Sequence, residues 1–136
     1  MIAIVDASVV VRWLLKLPGS ERSEIMVTSA DVILAPDIVI SETASALWKA
    51  VVFAGLEVDR ATFALRSIDR LFDELVPSLT LRMHAFSIAT KLRHPVYDCF
   101  YIALAEERSG RVFTADQRLI RRCEGTDFAS LVGDLS

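Results

Sequence analysis

The stretch Ile2-Ala3-Ile4-Val5-Asp6-Ala7-Ser8 decides how the rest of the chain is interpreted. Its first four residues are apolar and mostly β-branched, which predicts a short strand buried on both faces, as in a parallel sheet. Asp6 ends this strand, and Ala7-Ser8 leads into a predicted helix through Leu15. Ligands of open α/β sheets bind at the carboxyl ends of the strands, so Asp6 is the first candidate site residue.

The same alternation of strand and helix continues along the chain. Further strands are predicted at Val32–Ala35 and Val112–Thr114, with a weak edge strand in the tail after Thr126. The predicted helices run from an N-cap at Ser20 to about Ala30, from Pro36 to about Ala54, from Asp59 to Leu75, from Leu81 to Leu92, from Tyr97 to Arg108, and onward from Asp116. This order predicts an α/β protein with a mainly parallel sheet.

Length and composition predict one domain, residues 1–136, in a reducing compartment. The chain has 136 residues, of which 53% are hydrophobic, and this richness predicts apolar surface hidden in a dimer or against a partner, with a tightly packed monomer as the alternative. Cys99 and Cys123 are too few for a disulfide framework. Charged residues interrupt the most apolar stretch, and no basic segment precedes the first strand, so we expect neither a membrane span nor a signal peptide. The predicted location is the cytoplasm.

Four acids are placed so that they can meet at one edge of the sheet. Asp6 ends the first strand, and Asp116 follows the strand that closes at Thr114. Glu42 lies in the early turns of one predicted helix, and Asp98 lies in the first turn of another. Both helices can begin near the same edge, and helix N-termini favour a carboxylate. We therefore expect Asp6, Glu42, Asp98 and Asp116 to converge.

Clustered carboxylates repel one another, and a hard divalent cation relieves that repulsion. Mg²⁺ and Mn²⁺ both prefer oxygen ligands, and either would activate a water for in-line displacement at a phosphodiester. Two ions, if both bind, should lie roughly 3.5–4 Å apart. The net charge of −3 argues mildly against a nucleic-acid binder, but bound metal would offset the four acids.

Each acid also has a purely structural interpretation. Asp6, Asp98 and Asp116 could each cap the helix that follows. Glu42 is harder to explain in this way, because its helix is apolar on nearly every face and offers no Lys or Arg at the neighbouring helical positions.

The ordered set of motifs resembles the PIN-domain family, in particular the VapC-type toxin ribonucleases of toxin–antitoxin pairs. The resemblance covers essentially the whole chain and rests on four blocks. They are Ile4-Val5-Asp6-Ala7-Ser8, Ile40-Ser41-Glu42, Tyr97-Asp98-Cys99-Phe100-Tyr101-Ile102-Ala103-Leu104-Ala105, and Thr114-Ala115-Asp116-Gln117-Arg118-Leu119. Each block is weak alone, but the four in this order and at this spacing are specific.

The resemblance implies a three-layer α/β/α fold and a metal-dependent endoribonuclease. It maps the four acids onto the family's metal ligands, with Thr114 as a supporting hydroxyl and Ser8 near the first acid. It also implies a homodimer that a small antitoxin holds inactive. Arg118, Arg121 and Arg12 are candidate contacts to RNA phosphates, with a solvated basic surface as the alternative.

Two other functions compete with this one. An α/β domain that carries a phosphoryl group on an aspartate would need a second acid near Asp6 or a lysine after the last strand, and the sequence has neither. A PIN-like binding or assembly module without turnover is the non-enzymatic alternative. Loss of one of the acids would have favoured it, and all four are present.

Overall fold

Five parallel strands form a single sheet in the computed structural model, which describes residues 1–136. The strands are β1 (Ile2–Val5), β2 (Val32–Pro36), β3 (Glu74–Val76), β4 (Arg111–Thr114) and β5 (Val132–Asp134). Their order across the sheet is β3-β2-β1-β4-β5, and every neighbouring pair is parallel. The prediction of a mainly parallel sheet is confirmed, as is the edge strand in the tail.

Seven helices connect and flank these strands in a three-layer α/β/α arrangement. They are α1 (Ala7–Leu15), α2 (Ser20–Thr28), α3 (Ile38–Ala54), α4 (Val58–Ser67), α5 (Ser78–Leu92), α6 (Val96–Arg108) and α7 (Gln117–Cys123). Helix α6 packs against β1, β2 and β4, whereas α1 packs against α3 and β4. Strands β1 and β4 lie inside the sheet and are covered by helices on both faces. Most of their residues are therefore buried and apolar.

The strand order reverses between β1 and β4. From β1 the chain moves outward to β2 and β3, and then returns to the other side for β4 and β5. The two neighbouring connections at this point leave the sheet in opposite directions, which opens a crevice outside the carboxyl ends of β1 and β4. Asp6 and Asp116 both follow these two ends, as the sequence predicted.

The helix predicted from Asp59 to Leu75 is wrong in its second half. Helix α4 ends at Ser67, a 3₁₀ turn covers Ile68–Leu71, and Glu74–Val76 is a strand. Asp73, just before this strand, forms two hydrogen bonds with Ile33 of β2. Its N–H donates to the Ile33 carbonyl and its carboxylate accepts from the Ile33 N–H, both at 2.8 Å. Those contacts join residues 40 positions apart, so periodicity along the chain does not reveal them.

Two predicted helix starts are also corrected. Ser20 is the first residue of α2 and not its N-cap; Gly19 occupies the cap position with φ +86°, and no side chain caps the helix. Pro36 does not open α3 but ends β2, where it pairs with Val76, and the helix begins at Ile38. Proline is tolerated there because the N–H that it lacks is not needed at the end of a strand.

No helix of the protein has the length and apolar character needed to cross a membrane. Cys99 and Cys123 are both buried and unpaired.

Candidate active site

A cleft of 420 Å³ opens outside the carboxyl ends of β1 and β4. All four predicted acids line it, together with residues of α1, α3 and α6. The lining side chains are those of Asp6, Ala7, Ser8, Val11, Arg12, Leu17, Glu42, Ala46, Asp98, Tyr101 and Asp116. The convergence expected from their places in the sequence is therefore present in the fold.

Asp6 is the most firmly anchored of these acids. Its Oδ1 accepts from the Ser8 hydroxyl at 2.6 Å and from the Val9 N–H at 3.2 Å, so it also caps α1. The Thr114 hydroxyl donates to Oδ2. The residue is 5% exposed, and three donors fix the orientation of its carboxylate.

Ser8 and Thr114 tie the first and last acids together. The Ser8 hydroxyl accepts from the Ala115 N–H at 2.9 Å, and the Thr114 hydroxyl accepts from the Asp116 N–H at 3.0 Å. Asp116 in turn caps α7 by accepting from the Arg118 N–H at 2.9 Å. Two hydroxyls thus join the end of β1 to the end of β4.

Glu42 receives a partner that the sequence did not identify. The Tyr101 hydroxyl, on α6, donates to Glu42 Oε1 at 2.7 Å across the cleft. Tyr101 is 1% exposed, so its ring is fixed in the core while its hydroxyl reaches the cleft. This bond joins α3 to α6 and supplies a donor for a half-buried carboxylate that lacks a cationic neighbour.

Asp98 also has a partner that was missed. His94 lies one turn before it, and its Nε2 is 2.6 Å from Asp98 Oδ2. The imidazole is nearly buried, with a side-chain exposure of 6%. His94 therefore contacts one of the four acids directly. The four-residue spacing between His94 and Asp98 is the sequence signal that could have identified this pair.

The cleft disfavours the charged form of three of its carboxyl groups, those of Asp6, Glu42 and Asp98. Burial raises the pKa of Asp6 from 3.8 to about 6, against the opposing hydrogen bonds from Ser8 and Thr114. Burial likewise raises the pKa of Glu42 and of Asp98. The charge of Asp98 adds to the increase at Asp6 and Glu42, and that of Asp116 adds to the increase at Asp98. Asp98 is therefore the member through which the acids interact.

No lysine or arginine forms an ion pair with any of these acids. The atoms in the cleft that could coordinate a metal are carboxylate and hydroxyl oxygens, which suit a hard divalent cation. No three acidic, imidazole or thiol groups lie close enough together to hold an ion without some side-chain movement. The chemistry of the residues fits a metal, whereas their spacing is not a closed cage.

The predicted arginines lie in two different places. Arg12 lines the acid cleft itself. Arg118 and Arg121 line a separate cavity of 540 Å³, together with His94, Pro95, Arg122 and Glu124. His94 forms part of that second cavity and also contacts Asp98, so the two cavities are adjacent.

Comparison with known proteins identifies the family to which the chain belongs. The family model for the PIN domain matches residues 3–125. Ribonuclease VapC3 of Pyrobaculum aerophilum is 32% identical over 121 residues, which is 88% of this chain and 92% of the relative. The crystal structure of PAE2754, from the same organism, superposes with a TM-score of 0.70 at 19% identity, covering 91% of this chain and 81% of that one, and shows a shared fold. The chain belongs to the PIN domain family, as the resemblance of its motifs indicated.

Proposed function

We propose that this protein is a metal-dependent endoribonuclease and the toxin of a type II toxin–antitoxin pair. The observation that supports it most is the convergence of Asp6, Glu42, Asp98 and Asp116 in one cleft, where none of them forms an ion pair with a lysine or arginine. The relative that is named a ribonuclease VapC supports the choice of RNA as the substrate.

The four acids would hold Mg²⁺ or Mn²⁺ through their carboxylate oxygens. Such an ion lowers the pKa of a water and offsets the negative charge of a phosphodiester. Ser8 and Thr114 hold Asp6 in one orientation, so that this ligand loses little freedom on binding. The buried His94 does the same for Asp98, and Tyr101 does it for Glu42.

Arg12 would steer the substrate. It lines the acid cleft and forms no ion pair with any carboxylate, so its guanidinium is free to bind a phosphate oxygen. The cleft has no buried serine or cysteine placed as a nucleophile: Ser8 already donates to Asp6 and accepts from Ala115. Hydrolysis by an activated water is therefore the chemistry that these residues favour.

Protein partners would cover the exposed apolar side chains. Large apolar residues on the contacting helices α3 and α4, and on α5, are more than half exposed, which is unusual for surface that stays in water. They are Trp48, Val52 and Phe53 on α3, Val58 and Phe63 on α4, and Leu79, Met83 and Phe86 on α5. We propose that a second copy of the chain and a small antitoxin occupy this apolar surface.

The test is cleavage of single-stranded and structured RNA by purified protein with Mg²⁺ or Mn²⁺, beside EDTA and an Asp98→Asn variant. The proposal expects cleavage that needs the metal and is lost in a variant that folds normally. Equal activity of the variant would place the chemistry elsewhere. Retained binding of RNA or of an antitoxin without any cleavage would favour the module without turnover.

A further inference from the structure

The 540 Å³ cavity beside the acid cleft has an unusual charge. None of its six lining residues is hydrophobic, and three of them are arginines. Arg118, Arg121 and Arg122 are exposed, and none forms an ion pair with a carboxylate. Glu124 is the only acid of the cavity, so its walls carry a positive excess.

The arginines share one face of α7. Residues spaced three and four apart lie side by side on a helix, which brings Arg118 next to Arg121 and Arg122. The helix dipole favours a cation in the last turn, where Arg121 and Arg122 lie, but it disfavours one in the first turn, where Arg118 lies. The position of Arg118 therefore needs a reason other than the stability of the helix.

The cavity is linked to the acid cleft through two side chains. His94 lines the cavity, and its Nε2 bonds Asp98 at 2.6 Å. Arg118 is near enough that its charge lowers the pKa of Asp98, although burial and the His94 hydrogen bond have larger effects. A polyanion bound at the acids can therefore extend over the arginines.

We propose that the cavity formed by His94, Arg118, Arg121, Arg122 and Glu124 binds a backbone phosphate of the RNA next to the one that is cleaved. This inference rests on the proposed function and names a second contact for the same substrate. The acid cleft repels RNA when no metal is bound, whereas the arginine cavity attracts it. Binding and cleavage are thus divided between two neighbouring cavities, which fixes the direction in which the strand crosses the site.

RNA fits this cavity better than an acidic peptide does. The arginine face is open and fully polar, and it lies beside a cleft whose chemistry is directed at phosphodiesters. Planar guanidinium groups bind phosphate oxygens in pairs.

The experiment measures binding of a short single-stranded RNA by fluorescence anisotropy in EDTA at several salt concentrations. The double variant Arg121→Gln/Arg122→Gln is compared with Arg66→Gln/Arg70→Gln, which removes the same charge from exposed arginines of α4 and the 3₁₀ turn that have no ion-pair partner. Each lost phosphate contact should reduce the salt slope by about 0.7 and, at about 0.1 M salt, weaken binding about fivefold. The control pair should bind nearly as the wild type does.

A third variant tests the electrostatic basis in the opposite direction. Glu124→Gln removes the only acid of the cavity and should strengthen RNA binding, by up to about fivefold on the same scale. Weakened or unchanged binding by this variant would contradict the inference.

Three further results would overturn it. The first is an equal loss of binding in the two arginine pairs. The second is no RNA binding by the wild type in EDTA. The third is that Arg121→Gln/Arg122→Gln binds RNA as the wild type does but no longer binds poly-glutamate, which would assign the cavity to an acidic protein. Competition of RNA binding by inorganic phosphate separates a site for free anions from a site for RNA. None of these affects the cleavage assay with Asp98→Asn, so failure of the cavity and failure of the ribonuclease proposal are distinguishable.

Discussion

The carboxylates of this protein fall into two groups with opposite surroundings. In the cleft, burial raises the pKa of Asp6, Glu42 and Asp98, and no lysine or arginine pairs with them. On the outer surface, Glu74 accepts two hydrogen bonds from Arg108, at 3.1 and 2.8 Å, and these lower its pKa. Burial disfavours the charged form of the cleft carboxylates, whereas Arg108 stabilises the charged form of Glu74.

This difference indicates which acids to assign to function. A paired surface acid is explained by its own ion pair and contributes little beyond it. A buried, unpaired cluster costs stability in the metal-free protein and persists in a fold when it has a use. The comparison therefore predicts that substitutions in the cleft change activity, whereas the same substitutions on the outer surface do not.

The largest effect is expected for Glu42→Gln in the cleft, with the same substitution on the outer surface, Glu74→Gln, as its control. Loss of the Glu42 charge should lower RNA cleavage about 100-fold or more, because the cleft loses a metal ligand. Glu74→Gln should leave cleavage unchanged, since it lies outside the cleft and pairs only with Arg108. Initial cleavage rates in Mn²⁺ check this, and equal rates for both variants would remove the distinction between the groups.

A smaller effect is expected from the tyrosines. Tyr101→Phe removes the hydroxyl that orients Glu42, and metal-supported activity should fall about 10- to 100-fold, as for other residues that position a metal ligand. Tyr97→Phe is the matched control, because Tyr97 lies on the same helix but is 62% exposed and donates no hydrogen bond to an acid. A wild-type rate in Tyr101→Phe would show that the bond is dispensable.

The pH dependence of stability gives a third effect. The pKa of Asp6 is about 6 in the folded protein, above its usual 3.8, so between these pH values the folded state holds a proton that the unfolded chain has released. The free energy of unfolding contributed by Asp6 therefore falls as the pH rises through this window and is constant above it. The full change is about 3 kcal/mol at most.

Denaturant unfolding of the metal-free wild type and of Asp6→Asn, at pH values from about 4 to 7, isolates this contribution. The difference between the two proteins should be small at the acid end and should grow in favour of the variant toward neutral pH. Asparagine is as good an N-cap as aspartate, so the cap on Val9 is kept. A pH-independent difference would show that Asp6 has an ordinary pKa.

The sequence was most informative where structure is local. The run Ile2–Val5 and the strand before Thr114 are buried parallel strands with unambiguous patterns, and they place Asp6 and Asp116 without further help. Strand β3 was missed because three residues, Glu74–Val76, are too few to show a period and depend on pairing with β2. The partner of Glu42 was missed for a similar reason, since Tyr101 is 59 residues away.

The arginines show a different limit. Helical spacing predicts that Arg118, Arg121 and Arg122 share one face of α7, but it does not show which part of the molecule lies opposite that face. Only the packing of the α5–α6 turn against α7 makes His94 part of the same cavity. Charge patterns along a chain therefore identify candidate contacts, while their grouping into sites depends on the fold.

The most direct test of the central claim, that the cleft acids are kept for a divalent cation, is thermal unfolding of wild type and Asp6→Asn at pH 7, in EDTA and in Mn²⁺. We expect the order of stability of the two proteins to reverse. In EDTA the variant should be the more stable, because it lacks a buried charge; in Mn²⁺ the wild type should gain stability through binding and become the more stable of the two. If Mn²⁺ shifted neither protein, or shifted both equally, Asp6 would be a structural cap and not part of a metal site.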